Sequence, residues 1–283
     1  MDDRGLGKRV EVMLREDVGS GDVSSSFTPN KRVKAVIISN SSGFVSGVHE
    51  LQILFKTHHI QVRSHVKDGG VVRRGRVVLT LEGRARDILS VERTALNILS
   101  RMSGITTLTR KYADKLRKAG SKAKVAATRK TTPGFRYFEK RAVVLGGGLP
   151  HRMGLYDMVL IKDNHLRLFD CDVRRALDAA SNAKKKYKVE IEVASVKDAL
   201  AAAKSGADIL MFDNMQPSSI RKSVALLEKK GLRRRVLLEA SGGVTLDNLG
   251  AYGMTGVDWI SVGRLTHSAE ALDFSLEVLK SIN

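Results

Sequence analysis

The chain has 283 residues, 42% of them hydrophobic and 28% charged, with 49 Lys and Arg against 30 Asp and Glu and a formal net charge of +19. That length buries a core large enough to fold without disulfide or metal staples, and that composition excludes wholesale disorder. The cationic surplus points to an anionic partner and leaves nucleic acid, a membrane surface and a polyanionic small substrate open.

Residues 1–22 are charged throughout and lack the apolar core of a signal peptide. No apolar run approaches the ~20 residues of a membrane span, so a soluble, cytoplasmic protein without a membrane partner is expected. The spacing predicts a helix over 6–19, a turn-rich loop over 19–29, strands over 33–39, 61–66 and 77–83, and a helix over 48–58. A long helical pattern follows from Ala85 to Met102, with Ile88, Leu89, Ala95, Leu96, Ile98 and Leu99 on its apolar face. Ser103-Gly104 predicts a break, after which a second helix runs to about Ala119. The first unit is thus expected to be α+β.

From residue 120 short apolar strands are predicted at 124–128, 157–162, 189–193, 208–212, 235–240 and 258–262. Helical segments at 135–145, 172–187, 196–205, 217–230, 245–252 and 268–281 separate or follow them. That alternation means βαβ units and a parallel sheet. Each strand ends on a chemically capable residue or a glycine: Arg129 and Lys130, Lys162, Glu192, Asp213, Ser241 and Gly263. A site fed by every strand at one rim is the barrel arrangement, whereas a doubly wound sheet gathers its site at one switch point. Six strands make the barrel incomplete.

The rim suggests its chemistry. EASGGVT (239–245) and SVGRLTHSA (261–269) are successive glycine-bearing turns where backbone N–H groups can approach a phosphate. The stretch 111–141 holds eleven Lys and Arg against two acidic residues. Lys111, Lys115, Arg117, Lys118 and Lys122 read as a solvated helix face, but Arg129, Lys130 and Arg136 follow a strand and can grip carboxylates or phosphates. His151 and Arg152 follow three glycines. Lys162 could form a Schiff base, bind a phosphate or pair with an acid. Glu192 and Asp213, on consecutive strands, can hold Mg²⁺ through water or accept hydrogen bonds from sugar hydroxyls. Cys171 is the only cysteine, which excludes an intrachain disulfide and a cysteine-based zinc site. Aromatics are only 5% of the chain and form no stacking platform, which disfavours nucleic acid.

These residues resemble one family closely. KVAATRKTTPGFRYFEKRAVVLGGGLPHRMGLYDMVLIKDNH (124–165) is similar to the central motif block of the quinolinate phosphoribosyltransferases. Flanking matches are REDVGSGDVSS (15–25), LSVERTALNILSRMSGIT (89–106), IEVASVKDALAAAKSGADILMFDNM (191–215), LEASGGVTLDNL (238–249) and ISVGRLTHSAEALDFSL (260–276). The resemblance implies an α/β protein: an N-terminal sandwich-like α+β domain over 1–104, completed by a C-terminal helix over 268–283, and an incomplete barrel over 105–267. It implies transfer of a phosphoribosyl group from phosphoribosyl pyrophosphate to quinolinate with decarboxylation, Mg²⁺ accompanying the donor and no organic cofactor. It implies a homodimer, or a higher assembly of dimers. By position, Thr128, Arg129, Lys130, His151 and Arg152 would bind quinolinate, with Arg93 arriving from the other subunit. Lys162 would reach the phosphoribosyl donor and its leaving pyrophosphate, Glu192 and Asp213 the ribose hydroxyls and the metal. Ser241, Gly242, Gly243, Val262, Gly263 and Arg264 would hold the 5′-phosphate. A molybdenum-transport-associated group of paralogues shares TTPG and GGG..HR but is expected to lack the lysine that stands here at 162. That paralogue and a basic nucleic-acid-binding protein are the alternatives.

Overall fold

A computed structural model of the chain describes residues 2–281, which form two compact units: residues up to Leu108 together with those from Ala269 onward, and Thr109–Ser268.

In the first unit, α1 (Asp3–Val18) starts at Asp2, whose carboxylate accepts the Gly5 N–H at 2.9 Å, and buries Leu6, Val10 and Leu14. The chain then forms β1 (Arg32–Ser39), β2 (Gly43–Phe44), α2 (Val48–Thr57), β3 (Gln61–Ser64), β4 (Val71–Val72) and β5 (Val77–Arg84). β1 and β5 are rich in Val, Ile and Leu and lie at the centre of a four-stranded antiparallel sheet, while β2 and β4 pair separately. Its fourth strand is β12 (Phe274–Ser281), from the far end of the chain, antiparallel to β1 with Ile37 opposite Leu276.

Two expectations fail here. The helix expected over 268–283 is the strand β12, and its residues 282 and 283, like residue 1, lie outside the described residues. Phe274, Leu276 and Val278 alternate at a period of two, and the free edge of β1 supplies the hydrogen bonds that decide between that reading and a helix. The break expected at Ser103-Gly104 is absent: α3 (Ala85–Lys118) runs unbroken for 34 residues. Gly104 serves a close approach, since a Cβ there would stand 1.9 Å from the Glu270 carbonyl oxygen, and Ser103 Oγ donates to the Ser46 carbonyl at 3.2 Å.

The second unit begins with the remainder of α3. It continues as β6 (Lys124–Ala126), α4 (Arg136–Leu145), β7 (Val159–Ile161), α5 (Asp163–Arg167), α6 (Val173–Ala179) and α7 (Ser181–Lys184). There follow β8 (Val189–Val193), α8 (Val196–Lys204), β9 (Ile209–Asp213), α9 (Pro217–Lys229), β10 (Leu237–Ser241), α10 (Leu249–Gly253), β11 (Trp259–Ser261) and α11 (Arg264–His267). The helix expected over 172–187 is thus two short helices, and that over 245–252 shrinks to α10.

The six strands form one parallel sheet in the order β6-β11-β10-β9-β8-β7. Among the described residues no pairing joins β7 back to β6, so the barrel is open there. Residues 148–150 run along the free edge of β6 instead: Leu149 N–H donates to Val125 O at 2.8 Å and Ala127 N–H to Leu149 O at 2.9 Å. Side chains alternate along each strand. Val189, Ile191 and Val193 of β8, Leu210 and Phe212 of β9, and Leu238 and Ala240 of β10 are buried on one face. Glu190 and Glu192, Met211 and Asp213, and Glu239 and Ser241 occupy the other.

Candidate active site

The C-terminal ends of the six strands enclose a cavity of about 660 Å³. Thr128, Arg129 and Lys130 line it after β6, Lys162 after β7, Glu192 at the end of β8, Asp213 at the end of β9, Ser241–Gly243 after β10 and Val262–Arg264 after β11. His151 and Arg152 enter from the segment beside β6. Of the residues singled out from the sequence, two do not line this cavity: Arg93, which is exposed on α3, and Arg136. Arg136 is also elsewhere: its Nε donates to Thr131 Oγ1 at 2.9 Å and its Nη1 to Met153 O at 3.1 Å, holding the loop in front of α4.

The cationic loop after β6 is held by its own short contacts. Lys130 N–H donates to Thr128 Oγ1 at 3.0 Å, and Thr266 Oγ1 of α11 donates to Lys130 O at 2.6 Å. Fully buried Glu139, in the first turn of α4, accepts from both the N–H and the hydroxyl of Thr132. Lys162 Nζ lies 2.7 Å from Glu192 Oε1, while the Asp163 N–H donates to Glu192 Oε2 at 3.1 Å. That ion pair is one of the roles open to Lys162 from the sequence, pairing with an acid at the rim of the cavity. Asp213 accepts from the side-chain amide of Asn214 at 2.9 Å and keeps further lone pairs towards the cavity.

His151 has the most constrained surroundings. Its backbone is left-handed, at φ 51°. The ammonium of Lys140, buried on α4, donates to the carbonyls of both Pro150 and Arg152, one on each side of it. Burial first, then the neighbouring Arg136 charge, lowers the Lys140 pKa to about 8. The imidazole Nε2 is 3.0 Å from Glu239 Oε2 and 3.3 Å from Glu190 Oε2, and both glutamates are fully buried in the barrel interior. Trp259 Nε1–H donates to the same Glu239 oxygen. Burial alone would lower the His151 pKa, but the hydrogen bonds and charges of the two carboxylates outweigh it and hold it at about 9. Burial and the Glu239 charge raise Glu190 to about 7. Burial pushes Glu239 up as well, but the His151 contact outweighs it and leaves Glu239 the ionised member of the pair. Arg152 is buried nearby, its pKa drawn down by burial and by the Arg129 charge, and it remains a cation.

Glu190, Glu239 and Lys140 escape a reading of the sequence. The clue to the glutamates is a carboxylate inside an otherwise apolar barrel strand, in VEIEV (189–193) and in LLEAS (237–241).

His151, Glu190 and Glu239 have the donor types of a metal site, with atoms all within 4.8 Å of one another. The imidazole already bridges the two carboxylates, and the indole N–H claims the nearer oxygen. Glu192 and Asp213 fit a divalent cation better. They are hard oxygen donors on neighbouring strands, they open into the cavity, and they suit a hydrated Mg²⁺ that arrives with a polyphosphate.

Fold and site together define an open α/β barrel whose C-terminal rim carries a cluster of cations, two glycine turns and two carboxylates. The chain belongs to the quinolinate phosphoribosyltransferase family: the family's N-terminal domain matches residues 22–103 and its C-terminal domain residues 105–277. It is 47% identical over 262 residues to a probable nicotinate-nucleotide pyrophosphorylase (carboxylating) of Archaeoglobus fulgidus, covering 92% of this chain and 99% of that one. It is 45% identical over 274 residues to the protein of the same name in Methanothermobacter thermautotrophicus, covering 95% and 97%. A crystal structure of a NadC deletion mutant superposes with a TM-score of 0.92 at 34% identity, covering 100% of this chain and 99% of the other. Among the described residues no helix is long and apolar enough to cross a membrane.

Proposed function

We propose that the chain is a cytoplasmic, carboxylating nicotinate-nucleotide pyrophosphorylase of NAD biosynthesis. It converts quinolinate and phosphoribosyl pyrophosphate to nicotinate mononucleotide, pyrophosphate and CO₂. The observation that carries the reading is the single cavity in which Arg129, Lys130, His151 and Arg152 face Lys162, Glu192, Asp213 and the two glycine turns. The cations neutralise the two carboxylates of the aromatic acid, and the glycine turns take the 5′-phosphate of the donor. Their fixed positions bring the pyridine nitrogen in line with the anomeric carbon. Mg²⁺, bound with the donor, would supply charge neutralisation for the pyrophosphate, and Glu192 and Asp213 are the residues that would hold it, through water or directly.

Lys162 stabilises the departing pyrophosphate, while Glu192 and Asp213 offset the positive charge that develops on the ribose. The ring nitrogen, now bonded to the ribose, is quaternary. The electron pair left by departing CO₂ then sits next to it as an ylide, which takes a proton from solvent. The substrate is its own electron sink, so no organic cofactor is called for. Arg93, exposed on α3, would serve the cavity of a second copy of this chain, and a homodimer, or an assembly of dimers, is the working unit.

The test is an assay with purified protein, quinolinate, phosphoribosyl pyrophosphate and Mg²⁺. Equal release of CO₂ and pyrophosphate is expected, with nicotinate giving no turnover. Arg129→Ala and Arg152→Ala should each weaken quinolinate binding roughly 10- to 100-fold, the worth of a charge-assisted hydrogen bond. No turnover of quinolinate, or binding untouched by both substitutions, would exclude this function.

A further inference from the structure

We infer that Glu190 and Glu239 are positioning residues that hold His151 as an imidazolium, so that its Nδ1–H presents a fixed positive donor to a carboxylate of the bound aromatic acid. The inference rests on the function proposed above.

The geometry asks for two protons on the ring. One N–H, on Nε2, faces two buried carboxylate oxygens at 3.0 and 3.3 Å. A neutral imidazole needs one acceptor at that nitrogen, and a second carboxylate there is repulsion without return. Glu190 is fully buried and its neighbouring cation is His151, so the charge of the pair is balanced through that ring. Barrel interiors at this level normally hold branched aliphatic side chains. Two carboxylates in their place call for a reason beyond packing.

The rest of the surroundings immobilises the ring. Lys140 fixes the carbonyls on both sides of His151, and Trp259 fixes the Glu239 oxygen that the ring faces. With Nε2 engaged, Nδ1 is the nitrogen left for a ligand in the cavity that His151 lines. The charged and polar groups around the network are Glu190 and Glu192 of β8, Glu239 of β10 and the Ser261 hydroxyl and Trp259 indole of β11. Arg129, Arg152 and the Lys140 ammonium lie around it as well, with Arg136 and Asp157 beside Lys140. The direction of the His151 shift, upward to about 9, agrees with the geometry.

Because Lys140 also titrates nearby, the test reads the ring itself. In ¹⁵N-histidine-labelled full-length protein, the His151 signals are assigned by their loss in His151→Gln. Imidazolium shifts are expected at pH 7.5, with an alkaline midpoint near 9. Glu239→Gln should move that midpoint down towards the ordinary histidine value near 6.5, and Glu190→Gln should move it in the same direction. At pH 8 the KM for quinolinate in Glu239→Gln should rise roughly tenfold with little change in kcat, as expected for a lost charge-assisted contact to bound substrate. Should Glu239→Gln fail to fold, Glu190→Gln carries the same reading.

A neutral ring at pH 7.5 would overturn the inference, as would a midpoint that neither substitution moves. So would a stoichiometric divalent metal that leaves the purified protein in both variants. Imidazolium signals in a protein that does not turn quinolinate over support the charging pair and count against the proposed function alone.

Discussion

Gly242 sits at φ +90°, and a Cβ built on it would stand 2.2 Å from Asn214 Oδ1. Asn214 cannot easily move aside. Its own backbone is left-handed, its N–H donates to Ser241 O at 2.8 Å, and its amide holds the Asp213 carboxylate. Gly243, one residue on, also has a positive φ but open space around it. Gly243→Ala therefore meets only the backbone penalty of about 1–2 kcal/mol for a left-handed residue. Gly242→Ala meets that and must also displace Asn214, and with it Asp213. The KM for phosphoribosyl pyrophosphate should rise in both variants, at least tenfold further in Gly242→Ala, and kcat should fall only there. Equal effects in the two variants would show that Asn214 has no part in holding Asp213. The same residue-scale reasoning separates the arginines. Arg129 opens onto the cavity, whereas Arg136 spends its hydrogen bonds on Thr131 and Met153.

At the scale of elements, α3 sets a propensity against a contact. In an isolated helix Gly→Ala at an interior position gains about 1 kcal/mol. At Gly104 the added methyl would press on the backbone of Glu270, at a cost of roughly 1–3 kcal/mol or more. Gly104→Ala is expected to lower the urea midpoint, and a rise would show that the chain around Glu270 yields freely. This glycine also explains a misreading. Ser103-Gly104 signals a break by local rules, and only the packing of the chain around Glu270 reveals that small residues are needed there within a continuous helix. The C-terminal segment fails for a related reason. Leu272, Leu276 and Leu279 fit a helical period while Phe274, Leu276 and Val278 fit a strand's, and the edge of β1, some 240 positions away in the chain, selects the second. The barrel was legible because each βα unit is local: strand, turn, helix and the functional residue at the strand end lie within about 30 residues. The cavity residues at the strand ends were legible for the same reason. Glu190 and Glu239 were not, because their partner is a histidine delivered by a segment outside the regular strands.

At the scale of the whole molecule, charge and stability are linked through pH. Glu190, raised to about 7, keeps a proton in the folded state that the unfolded chain loses above its ordinary value of 4.5. His151, held at about 9, keeps one that the unfolded chain loses above 6.5. In both windows the folded state binds more protons, so stability is greatest below about pH 5 for the first and 6.5 for the second. It falls as pH rises through 7 and then 9. Lys140 has the opposite sign: lowered to about 8 against 10.5 unfolded, it returns some stability above pH 8. Thermal unfolding should therefore give a lower Tm at pH 8 than at pH 5.5, each kcal/mol being worth about 2–4 °C in units of this size. Glu190→Gln should flatten the curve between those values. A Tm that climbs from pH 5.5 to 8 in the unaltered protein would contradict the assignment. Of the +19 net charge, part lines the cavity, at Arg129, Lys130, Arg152, Lys162 and Arg264. Arg233 has another task, tying Val236 O, Gly256 O and Asp258 together at the strand starts.

The opening between β6 and β7 has a consequence for how such a site can change over generations. A closed barrel would fill that space with further strands, and any residue altered there would have to respect their register. Here the space is taken by an irregular stretch that is joined to β6 by two backbone hydrogen bonds and also bears His151 and Arg152. Under the proposed function, the grip on the substrate is thus shared between the loop after β6 and a stretch that no strand register constrains. A lineage that must grip a different anion can rewrite the stretch around 146–158 without disturbing any strand, while Thr128, Arg129 and Lys130 stay tied to the end of β6.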